Sequence, residues 1–318
     1  MTKQSRNPRL RVLLIAEAAN PEWSSVPLVG WSLACAIARL SDATLVTQIR
    51  NADAIRRTAH PFRHVHFIDS EALARPLWKL ASALRFGDGK GWTTLAAFGA
   101  LAYYDFERRL WRDFSADIRS RRFDLVHRIT PLSPTSVSRI AGRCAAAQVP
   151  FVLGPLNGGV PWPTEFRAAR HAEREWLSYV RGAYRMLPGH RSMLRHARAV
   201  MAGSMATYGE LPESVRSRTV YLPENGIDPV RFPYDGGRPA NGPLRACFVG
   251  RLVPYKGLDM LIEATAGHLK DGRMTLDIVG DGPMMQSLRL QAAALNAPDA
   301  VRFHGWLEHG EVHRVLRT

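Results

Sequence analysis

The chain has 318 residues, 46% hydrophobic and 22% charged, a globular balance that excludes a disordered polar chain and makes two domains the expectation for this length. Its formal net charge of +15 points to anionic partners: nucleic acid, an acidic membrane face or phosphorylated substrates. Nucleic acid is the weakest of these, since no helix-turn-helix, zinc-binding or RNP-like signature occurs.

The basic opening segment leads into VLLIAEA (12–18), an apolar run without a small-residue cleavage site. It predicts a first strand and not a signal peptide. A loop with Pro21 and Pro27, a helix over about 30–40 and a strand at ATLVTQI (43–49) complete a β-loop-α-β unit. Doubly wound nucleotide-binding domains begin in this way. VHFID (65–69) is the next strand. Residues 72–116 then give two helical stretches flanking FGDGKGW (86–92), with Trp78, Tyr103, Phe106 and Trp111 interleaved with Arg75, Lys79, Arg108 and Arg112. One reading is an amphipathic surface resting on an anionic bilayer; the other is two helices packed on the sheet with solvated arginines. The uncharged stretch TTLAAFGALAYY (93–104) is shorter than the roughly 18 to 20 apolar residues that span a bilayer.

FDLVH (123–127) is a strand, a Pro-rich turn follows at 131–134, residues 135–147 are helical, and PFVLG (150–154) is the next strand, closed by PLNGGVP. A strand–loop–helix–strand order implies a parallel sheet whose loops open on one edge, so that His127 and the turn Gly158-Gly159 share a cleft wall. Residues 165–198 are basic and helical, a pattern that fits a solvated face or an acceptor- or membrane-facing patch. RAVMAGS (198–204) is a strand with a helix starting near Met205, and Pro223, Asn225-Gly226 and Pro229 break TVYLPENGIDPVRF (219–232). The domains are expected at 1–234 and 235–318. Cys35, Cys144 and Cys247 are widely spaced in apolar contexts, which excludes a disulfide framework and reads as reduced core residues of a cytoplasmic protein.

In the second domain the strand at 244–249 ends at Gly250, Arg251 follows, and Lys256-Gly257 precedes a helix with Leu258, Leu261 and Ile262. Two cations thus stand at the carboxyl end of a strand and the amino end of a helix, where an open α/β sheet binds anions. The competing reading is ordinary solvated loop charge. MTLDIVG (274–280) is a further strand; Gly280 and Gly282 let backbone approach a ligand or simply form a tight turn. VRFHG (301–305) is a third strand and 308–317 a helix.

Three blocks, VGRLVPYKGLDMLIEA (249–264), DIVGDGPM (277–284) and VRFHGWL (301–307), together resemble the donor-binding domain of retaining GT-B glycosyltransferases of family 4, the glycosyl transferases group 1. The resemblance implies two Rossmann-like doubly wound parallel-sheet domains, with Arg251 and Lys256 on the diphosphate of a nucleotide sugar. SVPLVGW (25–31) is similar to the S-E-P-G-V-G-W element of one subgroup; Gly30 and Trp31 match, whereas Val26 and Leu28 depart from it. HRITP (127–131), GPLNGGV (154–160) and NGID (225–228) are similar to further family elements. They imply His127 as the catalytic candidate, with Gly30, Gly158, Gly159, Gly280 and Gly282 in donor or cleft loops. Many relatives carry His-x-His where this chain has Ile129 in place of the second His. The family's paired-glutamate motif does not follow residue 305, so the second domain is expected to be truncated.

The implied function is glycosyl transfer from a nucleotide sugar to a saccharide or lipid-linked hydroxyl acceptor, in cell-envelope polysaccharide or glycolipid synthesis. The protein would be cytoplasmic, with a peripheral contact at the inner membrane face. No metal or cofactor is expected, because cationic side chains take up the leaving charge and no Asp-x-Asp motif is evident. The alternative is a non-catalytic relative whose basic first lobe docks on a membrane or a partner.

Overall fold

A computed structural model describes residues 9–84, 92–158, 184–230, 232–233 and 242–317, in two compact units that separate after Asn225. The first unit is built on strands β1 (Arg11–Ala16), β2 (Asp42–Gln48), β3 (His64–Ile68), β4 (Leu125–Thr130), β5 (Phe151–Leu156), β6 (Ala199–Ala202) and β7 (Thr219–Tyr221). All neighbours are parallel, in the order β3-β2-β1-β4-β5-β6-β7. From Val12 to Ala16 the central strand is buried without interruption, as a parallel strand covered on both faces must be.

Helices α1 (Val26–Leu40) and α2 (Ala52–Arg57) cover one face, where Trp31, Cys35, Ile55 and Phe62 pack on Val12, Leu14 and Ile129. After α3 (Glu71–Leu84), the other face takes α4 (Trp92–Arg119), α5 (Ile140–Ala146) and α6 (His190–His196), which bring Phe106, Cys144 and Met193 onto Leu13, Ile15 and Val126. Short helices α7 (Met205–Glu210) and α8 (Glu213–Arg216) lead into β7. Strand order reverses between β1 and β4, which makes the carboxyl ends of these strands the switch point where such sheets open a crevice.

Three local expectations change. Helix α1 starts at Val26 and not near residue 30, because Pro27 falls in its first turn, where a missing N–H costs nothing. The helix expected from residue 135 starts only at Ile140. Its amino end is capped from a distant element: Glu107 of α4 accepts from the backbone N–H groups of Arg139 at 2.7 Å and Ile140 at 3.3 Å. The aromatic segment divides in two. On α4, Tyr103, Phe106, Leu110, Phe114 and Ile118 form one buried stripe at helical spacing. Trp111 is held between the guanidinium groups of Arg119 and Arg143. On α3, by contrast, Leu73, Trp78 and Leu80 are exposed, Trp78 by 59%. The segment 86–91 lies outside the described residues. Among the described residues no helix is long and apolar enough to cross a membrane.

The second unit carries a parallel sheet in the order β10-β9-β8, from β8 (Leu244–Val249), β9 (Met274–Val279) and β10 (Val301–Gly305). Leu258, Ile262 and Leu269 of α9 (Leu258–Lys270) and Leu288 of α10 (Met285–Ala293) pack on Leu276 and Ile278. A last helix, α11 (His309–Arg317), lies beside β8. His304 donates from Nε2 to Asp277 Oδ1 at 2.6 Å, tying β10 to the middle strand. Cys35 and Cys144 are buried, with thiols pushed up to about 12 by that burial; Cys247 is half-buried.

The stripe on α4 makes a quantitative expectation. Phe106 is fully buried, so Phe106→Ala should cost about 3–5 kcal/mol. Arg112 on the exposed side is paired with Asp113, its chain neighbour, so Arg112→Ala should stay within about 0.5 kcal/mol. Urea unfolding of the two variants measures both, and equal losses would contradict the packing described.

Candidate functional site

The carboxyl edge of the second sheet is closed by its own backbone. Gly250 N–H donates to the Val279 carbonyl at 2.9 Å, Leu252 N–H to Asp281 at 3.0 Å, Met284 N–H to Leu252 at 3.1 Å and Gly280 N–H to Gly305 at 2.7 Å. The loops leaving the three strands are therefore one hydrogen-bonded layer. Such closeness requires glycine at two positions. A β-carbon on Gly280, whose φ is +136°, would stand 1.9 Å from the Gly250 carbonyl oxygen, and one on Gly282 would stand 2.4 Å from that of Leu252. Asp281 turns back to accept from Gly282 N–H at 2.6 Å.

Out of this layer the segment 250–257 rises to α9. It carries Arg251, half-buried, then a single 3-10 turn, Pro254–Lys256, and Gly257 in the left-handed region at φ +66°. Lys256 is exposed, its ammonium 5.7 Å from the centre of the Tyr255 ring. Both cations thus belong to one short loop that ends where α9 begins, and the first turn of a helix offers free N–H groups and positive dipole to an anion. Asp259 sits in that first turn, with Oδ1 buried and lacking a hydrogen-bond partner.

In the first unit the expected residues occupy different positions. Gly30 is inside α1 and not in a loop: a β-carbon there would meet the Ala18 carbonyl at 2.1 Å, so the glycine lets α1 press on the end of β1. Thr130 of β4 closes the same spot, its hydroxyl bonding both N–H and carbonyl of Ala18. Gly158 lies after β5 with φ +117°, its N–H donating to Asn157 Oδ1 and its carbonyl accepting from Thr207 of α7 at 3.4 Å. Gly159 lies outside the described residues. His127 is only 2% exposed; it pairs with Val152 in the sheet and donates from Nε2 to the Gly154 carbonyl at 2.7 Å. Burial, with Arg128 next to it, lowers its pKa to about 4. The imidazole is thus neutral at pH 7.

Sequence reading missed a buried charged network one residue away. Arg128 is fully buried, donates to the Ser136 carbonyl at 2.6 Å and lies against the Tyr103 ring. Glu107 is bonded by the Tyr103 and Ser138 hydroxyls besides capping α5. Burial pushes its carboxyl up, opposed by those hydrogen bonds and by Arg128. The signal was present: Glu107 lies four residues after Tyr103, on the α4 stripe that faces the sheet.

Residues 237–318 match the family Glycosyl transferases group 1. The chain is 37% identical over 93 residues to the glycogen synthase of Mycobacterium tuberculosis, covering 29% of this chain and 22% of that protein. It is 27% identical over 165 residues to a protein named for colanic acid biosynthesis, WcaL of Salmonella typhimurium, covering 52% and 39%. The chain therefore spans well under half the length of these curated relatives. Among solved structures, Anabaena HepE in complex with UDP aligns over 94% of this chain and 70% of its own, at 16% identity and a TM-score of 0.52. A glycosyltransferase from Rickettsia africae aligns over 94% and 69%, at 13% identity and a TM-score of 0.51. The two parallel-sheet units are those of the GT-B fold.

The buried imidazole gives a pH dependence. Its folded pKa of about 4 lies below the ordinary value of about 6.5, so the unfolded chain takes up the proton first. This contribution to stability is complete above pH 6.5 and is lost as pH falls toward 4, by roughly 3 kcal/mol in all. Glu107, shifted upward, acts in the opposite sense, so the comparison is with His127→Gln. Between pH 6.5 and 4 the unfolding free energy of the variant should fall less steeply than that of the parent chain; parallel curves in urea titrations would refute the assignment.

Proposed function

We propose that this chain transfers a glycosyl group from a nucleoside-diphosphate sugar to a hydroxyl acceptor, with retention of anomeric configuration, in the synthesis of a cell-envelope polysaccharide or glycolipid. The observation that carries the reading is the glycine-locked edge of the second unit, from which Arg251 and Lys256 rise on one loop into the amino end of α9. It is supported by the family match over 237–318 and by the UDP in the HepE complex.

The chemistry follows from charge. The bond between the anomeric carbon and the diphosphate oxygen breaks, its electron pair stays with the diphosphate, and the acceptor oxygen takes the carbon while its proton departs. Arg251 and Lys256 would neutralise the charge that builds on the leaving diphosphate. Preorganised cations and donors at such a point are worth about 2.7–4 kcal/mol each. The free N–H groups of α9 would share the task. In this reading no metal or cofactor is needed, and the donor is held as substrate. His127, enclosed in the sheet, would act on geometry, holding β4 to β5 through the Gly154 carbonyl.

Arg251→Ala and Lys256→Ala should each lower kcat about 10²–10³-fold with the fold intact. Turnover should survive a chelator, and proton NMR of the product should show the donor's anomeric configuration. Unchanged turnover in both variants would remove the two cations from the site; an inverted product would remove retention alone.

A peripheral membrane contact is part of the proposal. Its support is α3, which exposes Leu73, Trp78 and Leu80 on the helix that carries Arg75 and Lys79. Vesicles containing anionic lipid should sediment the protein at low salt, and Trp78→Ser with Leu80→Ser should weaken this severalfold. Absence of co-sedimentation by the parent chain would end the membrane reading.

A further inference from the structure

The opposite, amino-terminal edge of the first sheet holds a second concentration of positive charge. A cavity of about 320 Å³ opens there, lined by Arg195, His196, Arg198 and Arg218 together with Gln148 and Pro150. It lies beneath the starts of β5, β6 and β7, since Pro150, Arg198 and Arg218 each directly precede one of those strands. Elsewhere on this edge three arginines have carboxylate partners: Arg63 meets Asp42, Arg11 meets Asp124 and Arg122 meets Asp117. Around the cavity that pattern stops. No acidic side chain lines it, and no ion pair to Arg195, Arg198 or Arg218 occurs among the described residues.

Capping of helix ends accounts for only part of this. The carboxyl ends of α5 and α6 face the cavity, and helix carboxyl ends favour cations. Arg218 serves them, donating from Nη2 to the Leu194 carbonyl at 2.8 Å and to that of Arg195 at 3.4 Å. This fixes its guanidinium, yet its Nε is buried and has no hydrogen-bond partner. Arg195 and Arg198 make no side-chain hydrogen bond to those carbonyls among the described residues, and His196 is already bonded through Nδ1 to the Ser192 carbonyl. On the rim Arg121 binds the Gln148 side-chain oxygen, adding another guanidinium. An immobilised guanidinium flanked by two exposed ones suits tetrahedral oxyanion recognition.

We propose that this cavity is an anion site for a phosphate monoester group, at the edge of the first sheet remote from the switch point and separate from the Arg251–Lys256 loop. The shared chemistry is the phosphate dianion, carried by a small soluble molecule or by a lipid headgroup. The inference stands whether or not the chain transfers sugars.

The test uses the whole chain carrying Arg251→Ala and Lys256→Ala, so that the other anion site is silent. Calorimetry with inorganic phosphate and glycerol 3-phosphate forms one arm, and sedimentation with phosphatidylcholine vesicles with or without phosphatidate the other. Saturable binding in either arm, weakened at least about tenfold by Arg195→Glu with Arg198→Glu, supports the site, and the arm that responds names the source. Reversal of two exposed charges of the second unit, Arg302→Glu with Arg314→Glu, should leave that binding within twofold. No saturable binding in either arm, or equal weakening by this control pair, overturns the proposal. Both lining arginines are exposed, so loss of fold is not expected; an unchanged thermal midpoint without ligand verifies this.

Discussion

Carbonyl oxygens resting on glycine α-carbons set the geometry of this protein. At the end of β1 the Ala18 carbonyl leans on Gly30 of α1, and in the second unit the Gly250 and Leu252 carbonyls lean on Gly280 and Gly282. In each case any larger residue would force backbone from backbone. These contacts occur where strands leave a sheet, so they decide how tightly the departing loops gather. In the second unit the result is a rigid layer from which a short cationic loop must rise in one direction, a form of preorganisation that a flexible loop could not provide.

Much of this was legible in the sequence because it depends on local pattern. The apolar runs at 12–18, 43–49, 244–249 and 274–280 are bounded by turn residues, and each is a parallel strand close to its expected limits; three of them are largely buried, whereas 244–249, expected to be buried, is an edge strand of the second sheet without a fully buried residue. Helix starts were less legible. Nothing between residues 131 and 139 announces that the helix waits until Ile140, because the group that caps it, Glu107, lies more than thirty residues earlier. The glycines were visible as glycines, yet whether they serve a ligand or their own neighbouring chain is a tertiary fact. Gly30 shows the distinction, since it sits inside a helix and its contact is the protein's own carbonyl.

The two kinds of histidine and arginine in the chain make a similar point. His127 and Arg128 are adjacent in sequence and both enclosed, but alternate strand residues face opposite ways. One side chain braces β4 against β5, and the other joins Tyr103 and Glu107 beneath α4. Burial keeps the first neutral and lowers the pKa of the second, an effect opposed by Tyr103 and Glu107. A strand-end motif read only as letters offers no means of separating these fates. That no carboxylate stands among Arg195, Arg198 and Arg218 likewise emerges only when the strands are laid side by side.

The cap that Glu107 places on α5 has a consequence for how the first unit assembles. A helix of seven residues has too few turns to persist alone in water. Its beginning is held by a carboxylate belonging to α4. The turn 131–138 that leads into α5 is anchored at its far end by α4, and within it by Asn157, whose N–H donates to the Leu132 carbonyl, and by Arg128, which donates to the Ser136 carbonyl. Loss of the Glu107 carboxylate would therefore loosen the start of α5 while the turn kept its other ties to the sheet.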